Sequence, residues 1–211
     1  MKIAVFGSGG RIGRRVCVLA RERGHLVLPF EAADVKEERA DVVIDFSLPQ
    51  ATEEVCRYCL LHRCPLVSGV TGRTPQQQKL VDDLSESVPV QAKSNFSRGI
   101  AAMRQVCRLL ASLNWDCEIV ETHRKGKQDA PSGTAKTLGC DVMRNGTRKV
   151  TFHSLRCGSN LGRHEVVFAT QGESITVIHQ AENADIFALG AILCAEELFE
   201  KLCKNGTAPK R

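Results

Sequence analysis

The stretch KIAVFGSGGRIGRR, residues 2–15, runs from a short apolar segment through a glycine turn into a basic helical segment. Glycines between a strand and a helix let the backbone turn tightly, approach a pyrophosphate and pack the helix on the sheet. Gly7, Gly10 and Gly13 hold those places in a G-x-x-G-x-x-G spacing; Ile12 takes the last position of the stricter G-x-G-x-x-G form. The helix start offers N–H groups to phosphates. At the head of a strand–helix–strand unit, this spacing reads as a dinucleotide site. After the second strand, Glu31, with Asp34 as second choice, is the acid placed for a ribose hydroxyl. Arg11, Arg14 and Arg15 are available to a 2′-phosphate, although a solvated helix face accounts for at least one of them equally well.

Outward from that turn, HLVLPF (25–30), DVVIDFS (41–47), PLVSG (65–69) and VPVQA (88–92) read as strands alternating with helices. Such alternation predicts an α/β fold, a Rossmann-like doubly wound parallel sheet. After Asn95 the character changes. A helix from Gly99 to about Leu113 leads into the strand CEIVETH (117–123), and a helix from Ser132 to Met143 follows. KVTFHSLR (149–156), HEVVFAT (164–170) and ESITVIHQA (173–181) then alternate like strands. This half predicts a smaller α+β substrate domain with an open mixed sheet. The expected division is a dinucleotide-binding domain over 1–97 and a substrate-binding and oligomerisation domain over 98–183. The helix 184–204 is expected to pack back on the first.

Composition narrows the classes. The 211 residues are 43% hydrophobic and 25% charged, ordinary for a globular chain. A net charge of +5 favours small anionic ligands and falls short of a nucleic-acid binder. No apolar run approaches a membrane span, and the N-terminus has no signal-peptide pattern, so the chain reads as cytoplasmic. Ten cysteines then imply no disulfide framework. CRYCLLHRC (Cys56, Cys59, His62, Cys64) lacks a second Cys-x-x-Cys for a structural zinc site. Cys56, Cys59 and Leu60 are expected on one buried helix face, the thiols acting as small hydrophobes, and no metal is expected.

SGVTG (68–72) and SNFSRG (94–99) both follow strands, at the sheet edge where ligands of such folds bind, and suit a nicotinamide. ETHRKGKQDAPSGTAK (121–136) concentrates charge and turn chemistry. Asp129–Pro131 reads as a turn, and Ser132, Gly133 and Thr134 as a helix start whose N–H and hydroxyl groups bind a carboxylate. Lys127 adds a point charge, and His123 can carry a proton near neutral pH. An anion cradle beside a proton donor, across from a dinucleotide site, implies reduction of a small carboxylated substrate.

The segments FGSGGRIGR, DVVIDFS, GVTG, NFSRGI, EIVETHRKGKQDAPSGTA and FALGAI resemble, in order, those of the 4-hydroxy-tetrahydrodipicolinate reductase (dihydrodipicolinate reductase) family of lysine and diaminopimelate biosynthesis. The resemblance covers most of the chain and implies NADPH or NADH as cofactor. The implied substrate is a small dicarboxylate cyclic imine, formed as water leaves the hydroxylated precursor. It implies His123 as proton donor, with Lys127 and the Ser132–Gly133–Thr134 backbone holding the substrate and Thr71 nearby. Gly7, Gly10, Arg11, Ile12, Glu31, Gly69, Asn95 and Phe96 match cofactor-contacting positions. It also implies a homotetramer built through the open sheets. Three departures stand out: Arg124 replaces the family's second histidine, Ala184 replaces an arginine, and the segment between the second and third strands is compressed. Arg124 is the candidate to supply the charge lost at Ala184. Two other readings are open: a reductase or dehydrogenase of the same plan acting on a related carboxylated imine, and a catalytically silent nucleotide-binding redox sensor.

Overall fold

The structure, a computed structural model, describes residues 1–31 and 38–205; Asp34 lies outside them. The elements begin β1 (Lys2–Phe6), α1 (Arg11–Glu22), β2 (Leu26–Phe30), β3 (Val42–Asp45), a 3-10 turn (Pro49–Ala51) and α2 (Thr52–His62). They continue β4 (Leu66–Ser68), α3 (Pro75–Leu84), β5 (Val90–Ala92), α4 (Arg98–Ala111), β6 (Asp116–His123) and α5 (Gly133–Arg144). The last are β7 (Val150–Arg156), β8 (Arg163–Thr170), β9 (Glu173–Gln180) and α6 (Asp185–Lys204). Two compact units result. The first holds Met1–Phe96 and the chain from Ala184 onward; the second is Ser97–Asn183.

In the first unit all five strands are parallel, in the order β2-β1-β3-β4-β5. A parallel sheet is covered on both faces, so its strands are apolar on both sides. Along β1, Ala4 and Phe6 join Val43 and the α2 residues Val55, Tyr58 and Cys59 on one face. Ile3 and Val5 join Val16 of α1 and Ala188, Ala191 and Ile192 of α6 on the other. The ring of Phe6 stacks on Phe30 at 4.9 Å, and Tyr58 meets both edge-on while donating its hydroxyl to the Glu38 carbonyl at 2.6 Å. Cys56, Cys59 and Cys64 are packed in this core, and burial pushes the Cys56 thiol up to about 11. Leu60 departs from the expected face. It is half exposed, because α2 turns Val55, Cys56, Tyr58 and Cys59 inward instead.

Two features shape the carboxyl edge of this sheet. The strand order reverses between β1 and β3, where ligands of such sheets bind. Gly7 sits there with φ +75°, and a Cβ on it would lie 2.6 Å from the Phe46 carbonyl oxygen. Asp45, at the end of β3, is buried and accepts hydrogen bonds from the Ser47 amide (3.0 Å), the Ser47 hydroxyl (2.5 Å) and the Ser68 hydroxyl (2.9 Å). The Arg73 guanidinium, also buried, pairs with Asp45 at 3.4 Å and donates to Ser68 Oγ, Thr52 Oγ1 and the Val70 carbonyl. Arg15 of α1 forks onto Asp185 of α6 at 2.5 and 2.8 Å, so it is committed to helix packing.

The second unit is a four-stranded sheet, order β7-β6-β8-β9, with β6–β7 parallel and the other pairs antiparallel. Helices α4 and α5 cover one face, where Met103, Cys107, Ile119, Leu138 and Phe168 form the core. Arg104 and Arg108 of α4 converge on Asp141 of α5 at 2.5 and 2.7 Å. No helix among the described residues of this unit covers the opposite face, where Leu155 and Ile178 are half exposed. On the covered side, His164 and His179 stand opposite each other in β8 and β9. Each places Nε2 3.2 Å from the hydroxyl of an N-cap serine, His164 on Ser132 of α5 and His179 on Ser97 of α4.

Breaking a buried ion pair by removing one partner leaves a buried charge uncompensated, at a cost of about 3–5 kcal/mol. Arg73→Ala is therefore expected to destabilise the first unit by roughly that amount in chemical denaturation. A loss below about 1 kcal/mol would mean the three hydroxyl and amide donors carry Asp45 alone.

Candidate active site

In the first unit the predicted nucleotide residues gather along the sheet's carboxyl edge. Gly7, Gly10, Arg11 and Ile12 form the β1–α1 turn, with Gly10 at the helix N-cap and no side chain capping that end. A helix start without a side-chain cap suits an anion, and a Cβ on Gly10 would sit 3.1 Å from the Gly7 carbonyl, filling the cradle. Glu31 leaves β2 with its carboxylate directly against Gly9, a residue the spacing did not single out; any Gly9 side chain would strike it. An acid beside the glycine turn is what a ribose hydroxyl needs. These residues fit a dinucleotide.

Gly69 follows β4 and donates its N–H to the Asp45 carbonyl at 2.8 Å, with the Phe46 ring against its Cα. Thr71 lines a cavity of about 410 Å³ together with Arg73, Lys93 and Ser94. Asn95 follows Ser94 at that edge. Phe96 completes that turn. Its ring lies in the core, 6.0 Å edge-on from Phe46, with Lys93 Nζ 5.5 Å from its centroid, so it offers a ligand only backbone.

In the second unit, β6 alternates with Cys117, Ile119, Glu121 and His123 on the covered side. That brings His123 to the strand's end beside the start of α5. Ser132 caps α5 by accepting the Ala135 N–H at 3.2 Å; Gly133 and Thr134 open the helix. Lys127 is half buried and pairs with Asp129 at 2.7 Å. Burial opposes the charge of Asp129, but its bonds to Lys127 outweigh this and hold its carboxyl below the ordinary range. Arg124 is exposed, with its N–H on the Asn160 carbonyl at 2.8 Å and its guanidinium over Gly126. Of the predicted substrate residues in this unit, Arg124 turns its side chain away from the buried cluster, while Thr71 lies in the first unit.

The centre of that cluster went unassigned in the sequence. Glu121 is fully buried. Its Oε2 binds His123 Nδ1 and accepts from Arg156 Nη1 at 3.0 Å; its Oε1 accepts from Arg156 Nη2 at 2.6 Å and from the Ser132 N–H at 3.2 Å. Burial works against the Glu121 charge, but the bonds from Arg156, Ser154 and His123 prevail and keep its carboxyl below the usual carboxylate value. For His123 burial dominates and lowers its pKa, with Glu121 pulling the other way and Lys127 and Arg156 adding to the depression. The His164 ring meets His123 edge-on at 5.2 Å and is pushed down to about 3 by burial, so it stays neutral. The loop after β7 closes the site: Cys157 N–H donates to the His123 carbonyl at 3.0 Å, and Gly162, at φ +150°, lies against His123 Nε2. Period-two reading of CEIVETH puts an acid in line with Cys117 and Ile119, which was the available signal for Glu121. Nothing local marks Arg156 or His164.

No group of three or more metal-binding side chains is placed to hold an ion among the described residues, and none of their helices is long and apolar enough to cross a membrane. Burial raises the Cys107 and Cys117 thiols to about 11 and 12, away from reactivity.

Comparison with known proteins adds the family. The family model for the N-terminus of dihydrodipicolinate reductase matches residues 28–96, and that for its C-terminus matches residues 99–207. A 4-hydroxy-tetrahydrodipicolinate reductase from Stenotrophomonas maltophilia (strain R551-3) is 36% identical, over 94% of this chain and 92% of its own. One from Thermosipho africanus is 35% identical, over 95% and 93%. Among solved structures, a dipicolinate-bound dihydrodipicolinate reductase from Paenisporosarcina sp. TG-14 superposes with a TM-score of 0.74 at 21% identity, covering 95% of both chains. Aspartate dehydrogenase from Thermotoga maritima shares the fold more distantly, with a TM-score of 0.57 at 12% identity over 94% of this chain and 96% of its own. With the glycine turn, the acid after β2 and the capped DAPSGTA helix start in its sequence, the chain belongs to the dihydrodipicolinate reductase family.

Proposed function

We propose that this chain is the NAD(P)H-dependent reductase of 4-hydroxy-tetrahydrodipicolinate, acting in diaminopimelate and lysine biosynthesis, with His123 as proton donor. The observation that carries it is the pairing of His123 with an anion-binding helix start, bridged by Glu121, in a chain of this family. When bound, the reduced nicotinamide supplies a hydride to the conjugated imine left after water departs. The Gly7–Ile12 turn holds its pyrophosphate through backbone N–H groups and Glu31 takes a ribose hydroxyl. Gly69, Thr71, Asn95 and the Phe96 backbone border the nicotinamide.

The substrate's two carboxylates call for cations and N–H donors. Ser132, Gly133 and Thr134 supply a helix N-terminus, and Lys127 a point charge. Lys127 is paired with Asp129, so it exchanges one carboxylate for another when substrate arrives. That exchange keeps its charge compensated throughout. Hydride addition leaves an electron pair on the ring, which a proton from His123 Nε2 quenches. A dianion beside His123 raises the pKa that burial lowers, moving the acid toward working pH. Arg124, exposed in the structure, reaches a substrate carboxylate only by swinging inward. The open face of the second unit, with Leu155 and Ile178, suits a homotetramer assembled through these sheets.

The direct test follows turnover of freshly prepared 4-hydroxy-tetrahydrodipicolinate at the nicotinamide absorbance. His123→Gln keeps polarity but is no acid, so kcat is expected to fall about 10²–10⁴-fold while cofactor affinity by calorimetry is unchanged. Near wild-type turnover of that variant from pH 6 to 8 would assign the proton to another group. Because the acid works only when protonated, and burial lowers the His123 pKa, kcat/KM should decline as pH rises, approaching tenfold per unit. Gly10→Val fills the phosphate cradle and should abolish NADPH binding; equal affinity in calorimetry would move the site elsewhere. Light scattering at micromolar concentration should give four chains per particle, and a monomer would refute the sheet-mediated assembly.

A further inference from the structure

We propose that the buried Glu121–Arg156 pair is the positioning group of this site, dictating which nitrogen of His123 delivers the proton and tying that ring to the substrate-binding helix start. The inference rests on His123 being the proton donor and goes beyond it by asking what makes this histidine an acid of defined geometry.

Glu121 has no exposed surface, and both its oxygens are occupied, by His123 Nδ1, the Arg156 fork and the Ser132 N–H. A buried carboxylate without a counter-charge takes up a proton. Here the planar guanidinium meets it in a two-bond fork, the arrangement that best sustains an ionised carboxylate in low dielectric. An ionised carboxylate only accepts hydrogen bonds, so His123 Nδ1 carries a hydrogen in both charge states of the ring. Nε2 is then the sole titrating atom. Gly162 beside it leaves room that a side chain would take: a Cβ there would lie 3.1 Å from Nε2.

The other charged and titratable groups around the ring fit the same assignment. Lys127, on the segment after β6, and Arg156, on β7, both disfavour the imidazolium, and His164 on β8 is neutral and edge-on. Against them, the Glu121 carboxylate favours the cation. Arg156 Nη2 also donates to the Asp129 carbonyl at 2.7 Å. One guanidinium therefore holds the carboxylate behind the acid and the turn that carries the partner of Lys127. Proton delivery and anion capture share one base.

Glu121→Gln tests this. The amide matches in size but can present its NH₂ to Nδ1, releasing the ring to the opposite tautomer. In an aspartate–histidine dyad of a serine protease the equivalent change costs about 10⁴-fold in kcat, and a loss of roughly 10²–10⁴-fold is expected here, with KM changing by less than about threefold. The declining limb of the pH profile should move to lower pH, a shift that a purely structural role would not give. In a His123→Gln background, Glu121→Gln should cost nothing more, because it acts through the ring. If His123→Gln itself turns over like wild type, the proton-donor assignment fails. If His123→Gln is impaired but Glu121→Gln is fully active, or the two losses multiply, the positioning inference fails alone. Should Glu121→Gln not fold, the wild-type protein decides. Nitrogen NMR of the His123 ring at pH 8 is expected to show hydrogen on Nδ1 and a bare Nε2, and hydrogen on Nε2 would overturn the proposal.

Discussion

A carboxylate in a place that water does not reach is the constraint around which the second unit is organised. Taking such a charge out of water costs several kcal/mol, recovered only when geometry is good and every lone pair is used. Glu121 meets that condition through donors from three parts of the chain: the end of β6, the end of β7 and the first residue before α5. Each donor is held by the others' demand. A small displacement of α5 or β7 would strand the charge, so these elements cannot drift independently. The stability of the unit and the geometry of its candidate site are the same set of bonds.

The first unit solves a different problem by different means. Backbone N–H groups at a helix start suit phosphates, and an edge built that way needs room. Gly7 lies close against the Phe46 carbonyl, Gly9 gives way to Glu31, and Gly69 to the Phe46 ring. Behind the edge a side-chain scaffold supports it, with Asp45, Ser68 and Arg73 tying β3, β4 and the loop beyond. An edge made of backbone asks for small residues, whereas a site made of side chains asks for buried partners.

That difference explains what could be read from the sequence. The β1–turn–α1 unit is local, so an apolar run, three spaced glycines and a basic helix start suffice to declare it. The same holds for Ser132, whose capping bond to Ala135 spans three residues. Arg156 is 35 residues from Glu121. It arrives there because β6 and β7 pair in parallel with His123 opposite Arg156, a register no local pattern encodes. Glu121 was half visible, an acid in step with the buried positions of its strand. Phe96 was named through the family resemblance and no local pattern marks it; that its ring fills the core could not be read from the turn. Leu60 misled because a helical face read from three residues leaves the direction of burial open.

The two histidines facing each other across β8 and β9 couple events that are usually separate in folding. A helix start is ordinarily a local decision, taken within one turn. Here the cap of α4 leans on a ring 82 residues later, and that of α5 on one 32 residues later. Both rings reach their serines only when β8 and β9 are in one alignment, since a slip by a single residue turns every side chain to the other face. The hairpin therefore acts as a checkpoint. The capping bonds themselves are local, but the second partner of each serine hydroxyl arrives only with the hairpin. Contacts of such long sequence separation slow folding, and they place the starts of both helices in the frame of a hairpin made much later in the chain.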